Sequence, residues 1–266
     1  MTIGTHVNLG QAMIVMIEPD RDPERLAEYN RWYEHDHVYS GVVAGPGAFS
    51  YSRFVATREL KDLRYPDSSA IAQPVDKGSY LSFFYLLAGQ VDEHYAWSFP
   101  ESARLNEQGR MNADRELVSL SLYDFLGSVN RDGWPVPAEI SLDHRYPGVV
   151  ALWIDRTATA SRDDLASWLL ESKLPALIQS KEGGVAQALV FSSREFPGLP
   201  DSGTAVGDRL LVACFLDVDP RDVWRSSFAD RGRRCRLRTR VTGPCRAVHC
   251  HDPGDSYLQR SVVVAL

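Results

Sequence analysis

The chain reads the same way twice, and that repetition limits what it can fold into more than any other feature. An apolar run at 13–17 leads to a helix-like stretch with Trp32, then to the turn Gly45-Pro46-Gly47, then to an apolar run ending near Phe54. A second apolar run at 149–153 leads to Trp168, then to Gly183-Gly184, then to a run ending near Val190. Trp32 and Trp168, Gly47 and Gly183, and Phe54 and Val190 all lie 136 positions apart. Self-similarity at a fixed offset sets the unit of architecture, and two copies make a fused pair rather than a solenoid. The copies differ where chemistry would sit. The first reads Trp32-Tyr33-Glu34-His35-Asp36-His37, the second Trp168-Leu169-Leu170-Glu171-Ser172-Lys173. A site is therefore expected in the first copy and a degenerate one in the second.

Local signals give each copy the same order of elements. In the first, residues 12–18 read as a buried strand, and Asp22-Pro23-Glu24 starts a helix with an N-cap, a proline at N1 and an early acid. Strands at 48–56 and 79–88, a helix at 92–109 and a strand at 117–127 follow. In the second copy the strands are expected at 148–154, 185–192, 209–216 and 236–249, and the helices at 161–180 and 219–231. The order β-α-β-β-α-β is the split ferredoxin-like unit. The expected class is α+β, with units at 11–130 and 145–250, tails at 1–10 and 251–266, and a Pro/Gly/Asp-rich linker near 128–147. A ferredoxin-like sheet covers one face with helices and leaves the other bare, so the two sheets are expected to pack face to face within the chain. Leu169, Leu170 and Leu210 are expected to fill the second unit's helix-side space. Long connections at 57–78 and 193–208 have the length of lids or binding loops.

Composition narrows the partners. With 266 residues, 44 % hydrophobic and 24 % charged, the chain is an ordinary globule with a formal net charge of −6. That balance argues against nucleic acid or an anionic membrane as partner. No N-terminal leader pattern and no apolar run near 18 residues stand out, so a cytoplasmic protein is expected. The four cysteines lack CxxC spacing and are read as free thiols. The fused pair can bury both bare sheet faces by itself, so a homodimer is compatible with the sequence and not required by it.

The stretch from Ala27 to Val38, with Trp32-Tyr33 followed by His37, closing on Gly45-Pro46-Gly47-Ala48-Phe49, resembles the first helix and turn of EthD-like proteins of the dimeric α+β barrel superfamily. The resemblance is specific over residues 13–54 and topological over the rest. It implies a ferredoxin-like barrel and a cavity between helices and sheet. It also implies an activity drawn from cofactor-free monooxygenases, polyketide cyclases and dehydratases, lactone isomerases or heme-binding enzymes. Two departures stand out: the tandem fusion, and Lys173 where the motif histidine should recur.

Within that frame His37 is the candidate general base or acid, because an imidazole titrates near neutrality. The alternative is a core histidine satisfied by a backbone carbonyl. Helical spacing places Leu26, Tyr29, Tyr33 and His37 on one face, where the phenols of Tyr33 and Tyr29 could polarise a substrate oxygen. Asp36 either orients a neighbouring side chain at the rim or is a surface residue. A metal cluster of consecutive residues 34–37 is disfavoured, since helical neighbours splay by roughly 100°. Strand alternation puts Tyr80, Ser82 and Phe84 on one face and Leu81, Phe83 and Tyr85 on the other. With Trp32, His94 and Trp97, the residues Tyr29, Tyr80 and Phe84 make a candidate aromatic surface for a flat ligand, core packing being the alternative. The arginine-rich run 231–240 reads as a solvated strand face or as a site for an acidic group. His249, His251 and Cys245 fit no zinc template. No nucleotide-binding or serine-hydrolase motif is present.

The expected activity is thus a cofactor-independent lyase, cyclase or isomerase that transfers a proton on an apolar aromatic or polyketide-like small molecule. The alternatives are a monooxygenase, cofactor-free or heme-dependent, and a non-catalytic ligand-binding protein. No cofactor is called for; heme stays open because one histidine is all a proximal ligand needs.

Overall fold

The computed structural model describes residues 7–67, 69–156, 160–180, 183–196, 207–229 and 258–265. The first half runs β1 (Leu9–Pro19), α1 (Pro23–Trp32), β2 (Ala48–Val55), α2 (Arg58–Lys61), β3 (Tyr80–Leu87), α3 (Val91–Glu107) and β4 (Arg115–Asn130). The second runs β5 (Gly148–Arg156), α4 (Arg162–Trp168), α5 (Leu174–Ile178), β6 (Val185–Arg194), β7 (Arg209–Leu216), α6 (Pro220–Val223) and β8 (Leu258–Ala265). The class is α+β, as expected. Asp22 caps α1 by accepting from the backbone N–H groups of Glu24 and Arg25, with Pro23 behind it. Ser161 and Asp164 form a capping box on α4.

All strands pair antiparallel in one sheet of order β2-β3-β1-β4-β6-β7-β5-β8. The halves were expected as two sheets face to face. They are instead joined edge to edge in that one sheet: β4 runs past its predicted end and pairs with β6, Phe125 opposite Phe191 and Asn130 opposite Gln187. The sheet curls. β3 and β7 stand four places apart, about 19 Å on a flat sheet, yet the Phe83 and Phe215 rings lie 6.5 Å apart. Phe54 reaches Phe215 and Tyr85 reaches Phe191 at similar distances. The inner faces of both halves therefore share one core, which holds Leu81, Phe83 and Tyr85.

The last strand departs from expectation. It is Leu258–Ala265, inside the stretch read as a tail, and it pairs with β5. The predicted strand 236–249, the arginine-rich run, Cys235, Cys245, Cys250, His249 and His251 lie outside the described residues. Cys214 is a buried free thiol, its pKa pushed up to about 12 by burial.

The two long connections cross over. Leu60, Leu63 and Tyr65, from the first half's loop, pack with the second half's outer layer. Phe196, from the second half's loop, packs on Tyr95 and Phe99 of α3. The 57–78 loop is anchored by Lys61, buried and 2.9 Å from Glu18, and by Arg64, whose guanidinium donates to the carbonyls of Val75, Lys77 and Gly78. Among the described residues no helix is long and apolar enough to cross a membrane.

Candidate functional site

The helix-side layer of the first half is built from α1 and its continuation against β2, β3 and β1. After Trp32 the helix does not stay α. Residues Tyr33–His37 and Tyr39–Val43 form π-helical turns, in which the Val38 N–H donates to the Tyr33 carbonyl and the Ala44 N–H to the Tyr39 carbonyl. Each wide turn holds an extra residue, so positions after it rotate away from the α-helical register. Tyr29 and Tyr33 point inward as expected, 0 % and 3 % exposed. The next inward position is taken by Val38, not His37. The predicted ladder Tyr29–Tyr33–His37 is corrected here: His37 is turned to the flank, stacked on Trp32 with centroids 4.4 Å apart. It keeps contact with Tyr33 at 5.7 Å. Its other side faces Gly41, where a β-carbon would come within 3.3 Å of Nδ1. The second half repeats the device: Leu169–Lys173 is again a π-helical turn, and Lys173 lies 5.7 Å over the Trp168 ring.

On the sheet side, Tyr80, Ser82 and Phe84 face the helix and join Tyr29 and Tyr33 in one cluster. The Tyr33 hydroxyl pairs with Ser82 Oγ at 3.0 Å. Tyr80 stacks on Tyr29 at 5.9 Å. A register shift between Ala48 and Ser50 re-aims β2, so that Tyr51 lies on Phe84 at 4.7 Å. Arg53 lies over the rings of Tyr80 and Tyr33, 4.4 Å and 4.8 Å away. Glu34 holds Arg53 from the helix at 2.6 Å. Arg115, at the start of β4, lies 4.8 Å over Trp32. Tyr51, Arg53 and Arg115 are members that sequence reasoning missed. Their spacing puts Tyr51 and Arg53 on one strand face, but nothing local in the sequence says which face meets the helix.

Several polar atoms in this layer are buried and have no hydrogen-bond partner among the described residues: the Tyr29 and Tyr51 hydroxyls, Arg53 Nη1 and His37 Nδ1. The Tyr51 hydroxyl comes near Ser82 without closing a hydrogen bond. An unsatisfied buried polar group costs stability and calls for an explanation. Burial raises the pKa of Tyr29, Tyr33 and Tyr51, so all three remain protonated donors. Burial, with the Arg115 charge second, lowers the His37 pKa to about 4, against a weaker opposite pull from Asp36. Its imidazole is neutral at pH 7 and able to accept a proton.

The other predicted residues are placed differently. Asp36 is ion-paired to Arg110 and accepts from the Ser40 hydroxyl; the Arg110 hydrogen bonds hold its carboxyl below the usual range. Trp32 also donates to the Arg110 carbonyl at 2.6 Å, so Arg110 links Asp36 to the ring that carries His37. His94 and Trp97 sit on the turn rather than among the tyrosines. His94 Nδ1 is 3.0 Å from the Pro46 carbonyl, and a β-carbon on Gly45 would meet the Trp97 ring at 2.5 Å. The leucines expected in the second half's equivalent space do pack there, Leu169 and Leu210 buried in one cluster with Leu170 against it, but they do not fill it: a cleft of about 80 Å³ lined by Leu169 remains. No group of metal-ligating side chains occurs among the described residues.

No family model matches the chain, and no curated protein matches it. Solved structures do. An anthrone oxidase-like protein is similar over 97 % of this chain and 92 % of that one, with 12 % identity and a TM-score of 0.50. A chlorite dismutase-like protein follows at 9 % identity, 97 % and 95 % coverage and a TM-score of 0.48. The encapsulated DyP-type peroxidase from Mycobacterium smegmatis follows at 12 %, 98 % and 94 %, and 0.47. What the first of these shares with the chain is the fold.

Proposed function

We propose that the chain is a small-molecule enzyme, a fused tandem of two EthD-like units, that works between α1 and the sheet of its first half. It abstracts a proton from a flat, oxygen-bearing aromatic or polyketide-like substrate. The observation that carries this reading is the set of unpartnered buried atoms on Tyr29, Tyr51, Arg53 and His37, gathered in one aromatic layer. Three of them are donors suited to an oxygen anion, and the fourth belongs to a neutral base. His37 takes the proton from an acidic carbon or hydroxyl of the substrate. Tyr29, Tyr51 and Arg53 hold the resulting enolate or phenolate oxygen. An anion beside His37 raises its proton affinity from the low value of the ligand-free site. Return of the proton to another carbon completes an isomerisation; its delivery to a departing hydroxyl, which leaves as water, completes a dehydration; its delivery to the alkoxide formed when the enolate carbon attacks a carbonyl completes a cyclisation.

The second reading is an oxidation, in which the same carbanion gives its electrons to dioxygen. The name of the anthrone oxidase-like neighbour favours it. Anthrone is the first substrate to test, in air and under nitrogen, with solvent deuterium exchange followed by NMR. Exchange accelerated by the wild type and not by His37→Ala supports the proton-transfer step. Oxygen uptake coupled to exchange selects the oxidase reading. A visible heme spectrum in the purified protein, or exchange unchanged in His37→Ala, overturns the proposal.

A further inference from the structure

The second half holds a cleft that the reading above does not use. It lies where Trp168 and Lys173 repeat the places of Trp32 and His37. Its volume is about 80 Å³, room for roughly six waters at the scale of one probe sphere each, or for one ring-sized organic molecule. Leu152, Leu169, Leu177 and Phe228 give it apolar walls, and Lys173 is its charged lining residue. Lys173 is half-buried, its ammonium held over the Trp168 ring. One wall comes from the other half: Tyr65 reaches across from the 57–78 loop and donates to the Phe228 carbonyl at 2.6 Å.

Apolar walls with one cation suit a specific class of ligand. The walls reward burial of a hydrocarbon body. An ammonium at the cleft wall attracts an anion, and a charge-assisted hydrogen bond there is stronger than a neutral one. We propose that this cleft is a second small-molecule site, for a ring-sized monoanion such as an aromatic carboxylate, with the ring between Trp168, Leu177 and Phe228 and the carboxylate on Lys173. Because its wall is shared between the halves, ligand there clamps the 57–78 loop onto the second half and stabilises the whole chain.

The test uses 4-fluorobenzoate and its uncharged relative 4-fluorobenzyl alcohol, observed by fluorine NMR on the intact protein. Saturable benzoate binding is expected, about tenfold tighter than that of the alcohol. Lys173→Met should weaken benzoate about tenfold and leave the alcohol unchanged. Leu177→Trp, which fills the cleft, should remove both. His37→Ala should alter neither, which separates this site from the first half's. Absence of saturable benzoate binding up to about 10 mM overturns the proposal. So does benzoate binding that is indifferent to Lys173→Met, or binding lost in His37→Ala. Should Leu177→Trp fail to fold by circular dichroism, the contrast between the two ligands in Lys173→Met decides the matter alone.

Discussion

Trp32 lies flat on His37, centroids 4.4 Å apart at an interplanar angle of 20°. The π-helical turn that begins at Tyr33 brings them together, and the indole is in turn fixed by its hydrogen bond to the Arg110 carbonyl. A neutral imidazole is thereby held by contacts to its faces, and Nδ1 has no hydrogen-bond partner among the described residues.

If His37 is the base, His37→Ala should lower turnover by roughly 100-fold or more while the protein still folds. A purely structural histidine predicts the opposite: a lower melting temperature and near-normal specific activity of the folded fraction. Both quantities, measured on the one variant, separate the two.

The tyrosines should behave unlike one another. Tyr33→Phe breaks the bond to Ser82 and should cost about 1 kcal/mol of stability with a modest loss of rate. Tyr29→Phe and Tyr51→Phe remove hydroxyls that have no hydrogen-bond partner among the described residues. They should leave stability unchanged or raise it by up to about 1 kcal/mol, while slowing turnover. Chemical denaturation beside steady-state kinetics reads both. Tyrosines that all destabilise alike would mark this layer as core.

The acid limb of stability should carry a histidine component. The folded pKa of His37 is about 4, below the roughly 6.5 of an unfolded chain. Between those values the unfolded state binds more protons, so stability falls as pH drops and the loss is complete below about pH 4, at about 3 kcal/mol. His94 is shifted in the same direction by burial. In His37→Gln the fall in melting temperature between pH 7 and pH 4.5 should be smaller than in the wild type. An equal fall in both proteins contradicts the burial of the ring.

Much of the first half's layer could be read from residue spacing. The alternation of Tyr80, Ser82 and Phe84 against Leu81, Phe83 and Tyr85 follows from the period of a strand, and the two sets lie on opposite faces as it requires. Tyr51 and Arg53 escaped because their side is set by a bulge at Ala48–Ser50, which depends on pairing with β3 and leaves no local mark. His37 was misplaced because helical periodicity assumes α geometry, and the wide turn is visible only in the backbone. The last strand was sought in the alternating arginines, although Ser261-Val262-Val263-Val264-Ala265 is the more apolar run. It pairs with β5, more than 100 residues earlier, which local patterning could not reveal.

His94 and Trp97 offer a test of the turn. Gly45→Ala places a methyl group against the Trp97 ring and should cost about 1–3 kcal/mol. Combined with Trp97→Ala the closest part of the clash disappears and the contact with the His94 ring remains, so the double variant should be more stable than the sum of the single losses predicts. Strict additivity in urea titrations would mean that the ring does not rest on Gly45. Trp97→Ala should leave KM for the substrate unchanged if the ring serves the turn alone.

The segment between the halves is no mere tether. Val136 is buried, and Ala138 and Leu142 are buried in the shared core. Ser141 meets the Tyr85 hydroxyl at 2.9 Å, and Asp143 accepts from Ser50 at 3.0 Å. With Tyr65 and Phe196 each lent to the opposite half, neither half holds all the side chains that complete its own packing. A chain cut at the exposed Asp132-Gly133 turn therefore yields two fragments that are ligands for each other. The same protein could be encoded by two genes and would assemble as a heterodimer, with the linker carried as a docking arm on the second polypeptide.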